Sequence, residues 1–197
     1  MLRLLKPFLL LALALVLTFL AWLLPNLPVP LEKPHAGLIE SVSFAPFRGE
    51  QSPLTGNYPG DGEIVEALQA LVGRVKGVRL YTAREGMQTV PAEARRLGLK
   101  VFAGAWLGTV PHINQAEIAS LIELANAYPE TIDRVIVGNE VLLRRDLPVE
   151  TLIEHIRRVK AAVKQPVTYA DVWEFWLKNP QLAAEVDFIT IHILPYW

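Results

Sequence analysis

The chain has no cysteine among its 197 residues, which excludes disulfides, thiolate zinc sites, iron–sulfur clusters and a thiol nucleophile together. It has no excess of charge of either sign: 19 Lys and Arg stand against 20 Asp and Glu, leaving a net charge of -1. There is therefore no basic field for nucleic acid and no acidic tail. No glycine fingerprint for a dinucleotide follows the first strand-like segment, and no Gly-Lys-Ser/Thr phosphate loop occurs anywhere. The four histidines, His35, His112, His155 and His192, are scattered without the spacing of two ligands on one helix face, so neither a metal nor another cofactor is expected. His192 is flanked by isoleucines and reads as a core histidine. Ser43 and Ser52 lack the nucleophile elbow of an esterase or protease.

What is present is largely apolar. With 52% apolar and 20% charged residues, the composition is that of a globular protein able to bury a sizeable core. Arg3 and Lys6 precede an uncharged run from Pro7 to Leu24. At the helical rise its length is roughly 27 Å, close to the hydrocarbon thickness of a bilayer. No small-x-small cleavage site follows directly, so residues 1–24 are expected to be an uncleaved anchor that contacts the membrane through 7–24. The preceding positive charges and Trp22 near the far end put the N-terminus in the cytoplasm and the remainder outside. The alternative is a signal peptide that is removed, giving a secreted protein. Pro25, Pro28, Pro30 and Pro34 make residues 25–37 a semi-rigid stalk.

From residue 38 onward, short β-branched or aromatic runs alternate with amphipathic stretches, the pattern of βα units around a parallel sheet. Six strands are expected: Ile39 to Ala45, Val78 to Tyr81, Lys100 to Ala105, Arg134 to Gly138, Pro166 to Ala170 and Val186 to Ile193. Between them, apolar residues at helical spacing follow Asp61, Asn114 and Pro148, with Glu117 as the capping-box partner of Asn114. Such units close into a (β/α) barrel or open into a doubly wound sheet, and the missing nucleotide motifs favour the barrel. The carboxyl ends of the strands carry Tyr81 and Thr82, Trp106, Asn139 and Glu140, Asp171 with Trp173, and Pro195 to Trp197. Aromatic faces stack on sugar rings while amides and carboxylates bind hydroxyls, so this lining suits a carbohydrate. Arg134 to Glu140 reads as a buried strand whose end turns abruptly polar, which in a barrel faces the active-site mouth. Glu140 is the leading candidate for chemistry. A helix cap, or a pair with Arg144 or Arg145, is its structural alternative. Arg79, inside a strand, is expected to pair with a barrel carboxylate, and Asp171 to cap the following helix.

Three segments in this order, Gly77-Val-Arg-Leu-Tyr81, Val137-Gly-Asn-Glu140-Val and Leu194-Pro-Tyr196-Trp197, resemble glycoside hydrolase family 17. The similarity extends from about Ser41 to Trp197. It is closest to the bacterial branch through Ser43-Phe-Ala-Pro-Phe47, Gln51-Ser-Pro53 and Tyr169-Ala-Asp-Val-Trp-Glu-Phe175. The resemblance implies a (β/α)8 TIM barrel that cleaves β-1,3-glucan with retention or transfers a glucosyl unit. Glu140 would be the acid/base, Asn139 a donor to the neighbouring sugar hydroxyl, and Tyr81, Tyr196, Trp106 and Trp173 further substrate contacts. The family carries its nucleophile in a Gly-Glu-x-Gly-Trp type segment at strand seven, which this sequence does not contain. The expectation is thus an incomplete barrel of about six βα units without its nucleophile, poorly soluble when residues 35–197 are expressed alone. A non-catalytic glucan-binding or membrane-scaffold protein is the alternative function.

Overall fold

The computed structural model of the protein describes residues 2–28 and 37–193. The chain divides into two compact units, Met1–Gly37 and Leu38–Trp197. The first contains helix α1 (Leu2–Leu23), whose apolar side chains, from Phe8 to Trp22, are exposed. It is long and apolar enough to cross a membrane, with a mean hydropathy of 2.6 over Lys6–Asn26. Most of the predicted stalk lies outside the described residues.

The second unit is built from β1 (Ile39–Ser43), α2 (Asp61–Gln69), β2 (Val75–Arg79), α3 (Val90–Leu97), β3 (Lys100–Ala105), α4 (Pro111–Ala127), β4 (Ile132–Asn139), α5 (Val149–Lys160), β5 (Val167–Val172), α6 (Trp173–Lys178) and β6 (Thr190–His192). All five strand pairs are parallel, and the order along the sheet is β1-β2-β3-β4-β5-β6. A doubly wound sheet needs a reversal of strand order to place helices on both faces. This sheet has none, and it curls into a half-barrel of six βα units. Ile189, Ile191 and Ile193 along β6 are exposed.

Strand parity divides the sheet into two faces. Val78, Val101, Val135, Val137, Val167 and Tyr169 are fully buried against the helices, with Ile64 and Leu68 of α2, Ile118 and Leu121 of α4, and Leu152 and Ile156 of α5. Each such side chain contributes roughly 1.5–3 kcal/mol over leaving it exposed, far more than differences in helix propensity. On the other face the register Arg79↔Phe102↔Arg134 stacks the Arg134 guanidinium 4.9 Å from the Phe102 ring centre. That inner face leads up to the site.

The strand β3 matches its sequence expectation end to end, whereas β2 begins three residues earlier and ends at Arg79, so Tyr81 stands just beyond it. The strand β6 is only three residues long. Its expected first half is a turn in which the Asp187 carboxylate accepts from Val167 N–H at 2.7 Å. The capping box expected at Asn114 is not formed. Pro111 starts α4 four residues sooner, with Val110 in the cap position, and buried Asn114 instead bonds Gly108 N–H and C=O at 2.8 and 2.7 Å. The helix α3 was not anticipated, although Pro91 in its first turn and Gly98 at its end, with φ +71, are recognisable start and stop signals.

Candidate active site

The site begins with a defect in β4. Ile136 pairs with Thr168 and Asn139 with Ala170, so β4 spends three residues where β5 spends two. The extra residue is a bulge, which reverses parity and returns Asn139 to the inner face with Arg79. Gly138 absorbs it at φ +88, and Glu140 follows at φ +53, a left-handed conformation uncommon for a side-chain-bearing residue. The turn is held from both sides. Glu140 N–H donates to Ala170 C=O at 2.7 Å, and Arg144 N–H to Glu140 C=O at 2.9 Å. The Arg144 guanidinium donates to Asn139 C=O, to Leu107 C=O at 2.8 Å and to the Asp146 carboxylate at 2.7 Å. Arg144 therefore fastens the backbone beside Glu140, and its carboxylate partner is Asp146.

At the carboxyl ends of the strands a cleft of ≈ 680 Å³ opens, with Arg79, Tyr81, Trp106, Asn139, Glu140 and His192 on its walls. Glu140 Oε1 lies 2.6 Å from His192 Nδ1. His192 Nε2 lies 3.2 Å from Arg79 Nη1, and Arg79 Nη2 donates to Asn139 Oδ1 at 2.7 Å. The Arg79 guanidinium also sits 4.8 Å from the centre of the Tyr81 ring, whose hydroxyl is 2.9 Å from Ser43 Oγ. Burial lowers the Arg79 pKa from its usual value. Since Asn139 Oδ1 is occupied by Arg79, its amide nitrogen is left as the donor available to a ligand.

A second cleft of ≈ 370 Å³ adjoins the first, sharing Tyr81 and Trp106 and adding Phe47, Pro53, Leu54 and Glu85. Trp106 remains 42% exposed between the two, with the Arg144 guanidinium 4.2 Å from its ring centre. Glu117, buried on α4, ties the loops that present these aromatics. It accepts from Thr82 Oγ1 at 2.6 Å, Ala83 N–H at 3.1 Å and Trp106 N–H at 3.2 Å, and burial lifts its carboxyl above the usual range.

Of the residues singled out in the sequence, Tyr81, Trp106, Asn139 and Glu140 converge on the first cleft. Trp173, 56% exposed at the start of α6, lines neither cleft, and Tyr196 lies outside the described residues. Three assignments change. His192 is a cleft residue bonded to Glu140, because the strand end places it at the mouth instead of in the core. Arg79 takes an amide and an imidazole as partners in place of a carboxylate. Asp171 does not cap α6. It is fully buried, accepts from the Tyr169 hydroxyl and from Val172 N–H at 2.8 Å, and turns toward the helix face of the sheet. Ser43 and Glu117 also take roles the sequence did not suggest, since Ser43 reads there only as a poor nucleophile and Glu117 as a capping-box residue.

Burial raises the Asp171 pKa despite these hydrogen bonds. The folded state then holds the Asp171 proton more tightly than the unfolded one, so this residue's contribution is full below about pH 4 and declines as pH rises through the raised value. The melting temperature of Asp171→Asn is therefore expected to fall less, or rise more, than that of the native protein between about pH 4 and pH 7. Parallel profiles from circular-dichroism melts would contradict it.

Residues 41–197 match the family model of the BtgE/BtgC glycoside hydrolase domain. A glucan 1,3-beta-glucosidase of Schizosaccharomyces pombe is 31% identical over 102 residues, covering 48% of this chain and 32% of that protein. The crystal structure of the glycoside hydrolase family 17 β-1,3-glucanosyltransferase of Rhizomucor miehei superposes with a TM-score of 0.67 and 26% identity, over 81% of this chain and 58% of that one. An active-site mutant of that enzyme in complex with laminaritriose gives the same values. The chain thus spans about a third of the curated relative and somewhat over half of the solved one. The chain belongs to the BtgE/BtgC glycoside hydrolase domain family, of the glycoside hydrolase family 17 type.

Proposed function

We propose that the protein acts on β-1,3-linked glucan as a retaining glycoside hydrolase or glucosyltransferase, with Glu140 as its proton donor. The observation that carries this reading is the strand-end turn. A bulge, a left-handed glutamate and three backbone anchors aim Glu140 into a cleft walled by Tyr81, Trp106 and Asn139. Tyr81 and Trp106 offer apolar faces to sugar rings, and the Asn139 amide offers a donor to a ring hydroxyl beside the reacting carbon. The second cleft, continuous through the same aromatics, suits an adjoining glucosyl unit.

Retention requires a nucleophilic carboxylate about 5–5.5 Å from the acid. Glu140 is the carboxylate on the first cleft among the described residues, and Asp171 is occupied by Tyr169 and the backbone. On this reading the nucleophile comes from outside residues 1–197. The proposed setting is a membrane, with α1 as signal-anchor, the N-terminus cytoplasmic and the barrel exported. The exposed apolar surface of α1 supports it.

The test is product analysis of protein taken from its native membrane and supplied with a β-1,3-linked oligoglucoside. New β-anomer, seen by proton NMR before mutarotation, or elongated products at high acceptor concentration, are expected. Inversion would overturn the mechanism, and binding without consumption would favour the glucan-binding scaffold. Trp106→Ala is expected to weaken oligoglucoside binding by about tenfold, a loss of ~1.4 kcal/mol, in titration calorimetry. Unchanged affinity would remove Trp106 from the site.

A further inference from the structure

Arginine only donates hydrogen bonds, and this single fact orients the chain of contacts across the site. His192 Nε2, 3.2 Å from Arg79 Nη1, must present its lone pair, so the ring hydrogen resides on Nδ1. Nδ1–H then donates to Glu140 Oε1 at 2.6 Å, which makes Oε1 an acceptor. Oε2 makes no hydrogen bond among the described residues. We propose that Arg79 and His192 are positioning residues that hold Oε1 of Glu140 as an acceptor and so confine the transferable proton to Oε2. The inference rests on Glu140 being the acid.

The groups around His192 reinforce one polarity. Arg79 approaches from β2 with Tyr81, just beyond that strand, against its plane, and Glu140 approaches from the end of β4, whereas Asp171 of β5 faces the helices and is taken by Tyr169 and backbone N–H groups. Arg79 cannot swing away freely, because its other nitrogen is bonded to Asn139 and its plane lies against Tyr81. A glutamic acid with both oxygens free divides its hydrogen between them. Here one is excluded. As the bond between C1 and the leaving glycosidic oxygen breaks, its electron pair stays on that oxygen, which takes the proton from Oε2. C1 accepts an electron pair from a carboxylate nucleophile, and the Glu140 carboxylate keeps its bond from His192.

The first test needs no turnover. The full chain, labelled with ¹⁵N-histidine and held in detergent micelles near neutral pH, is examined by two-bond ¹H–¹⁵N spectroscopy. A protonated-type Nδ1 and an unprotonated-type Nε2 are expected for His192, with the opposite tautomer appearing in Arg79→Met and suppressed again in Arg79→Lys. An Nε2–H tautomer in the native protein, or no change in Arg79→Met, overturns the proposal.

The second test reads proton delivery. His192→Phe is expected to lose about 10- to 100-fold in kcat/KM on an unactivated oligoglucoside, where leaving-group protonation matters. On a dinitrophenyl glucoside, whose leaving group needs no proton, the loss should be slight. His192→Asn, whose amide can stand in for Nδ1–H, should recover most of the activity. Equal losses on both substrates would make His192 merely structural. A wrong tautomer in an active protein sinks this proposal alone. The right tautomer in protein from its native membrane whose Glu140→Gln variant turns over β-1,3-glucan as fast as the native protein sinks the assignment of Glu140 as acid, and proton placement with it.

Discussion

Glu140→Gln is expected to lower turnover of a β-1,3-glucan by about 10²–10⁴-fold while changing affinity little, as loss of a general acid does. The substitution is chosen for what it keeps. A glutamine is the same size, and its carbonyl oxygen can accept from His192 Nδ1 as Oε1 does, so the contacts among Arg79, His192 and Asn139 survive. What disappears is a proton that can leave. Glu140→Ala would mix that loss with an unsatisfied histidine and an emptied turn. Single-turnover rates together with binding isotherms separate the two effects. Retained turnover in Glu140→Gln would end the assignment of the acid.

Gly138→Ala should be strongly destabilising. An added Cβ would meet Val141 Cγ2 at 2.7 Å, with Leu107 Cδ1 and Tyr169 Cδ2 each at 3.5 Å. Valine has little rotameric freedom with which to yield, and Leu107 and Tyr169 are fully buried. At φ +88 the backbone adds strain of roughly 1–3 kcal/mol, and overpacking costs roughly 1–3 kcal/mol more. A loss of about 2–6 kcal/mol is a large part of a typical domain's 5–15 kcal/mol. Gly98→Ala provides the comparison: φ is +71 there, but the surroundings are open, so only the backbone term of roughly 1–3 kcal/mol applies. Chemical melts of the full chain in detergent would show the difference. Equal losses at the two glycines would mean that the crowding at Gly138 relaxes at no cost.

These predictions concern residues of uneven visibility in the sequence. Glu140 and Asn139 were legible because a run of buried β-branched residues, Val135 to Val137, stops abruptly at Gly-Asn-Glu. Tyr81 and Trp106 were legible because the first ends and the second follows a strand-like segment whose end had to lie at the mouth. His192 was misjudged for the same kind of reason. Isoleucines flank it, but on a strand end they alternate across the sheet while the residue between them faces inward.

The sequence alone determined the unit that repeats. Apolar periodicities of two and of about 3.6, repeated along the chain, indicate strands of a parallel sheet alternating with one-faced helices, and the missing nucleotide motifs favour the barrel among the architectures such units build. It also determined an apolar N-terminal run of membrane-spanning length. Only the tertiary structure decided between the barrel and the doubly wound sheet, through the strand order, and decided the polarity of the site. One extra residue in β4 changes which side chains face inward, and parity cannot be counted through a bulge without knowing the partner register. The contacts from Arg79 to His192 and from His192 to Glu140 join residues 113 and 52 positions apart. Such contacts follow from strand order and closeness in space, about which local patterns along the chain say nothing.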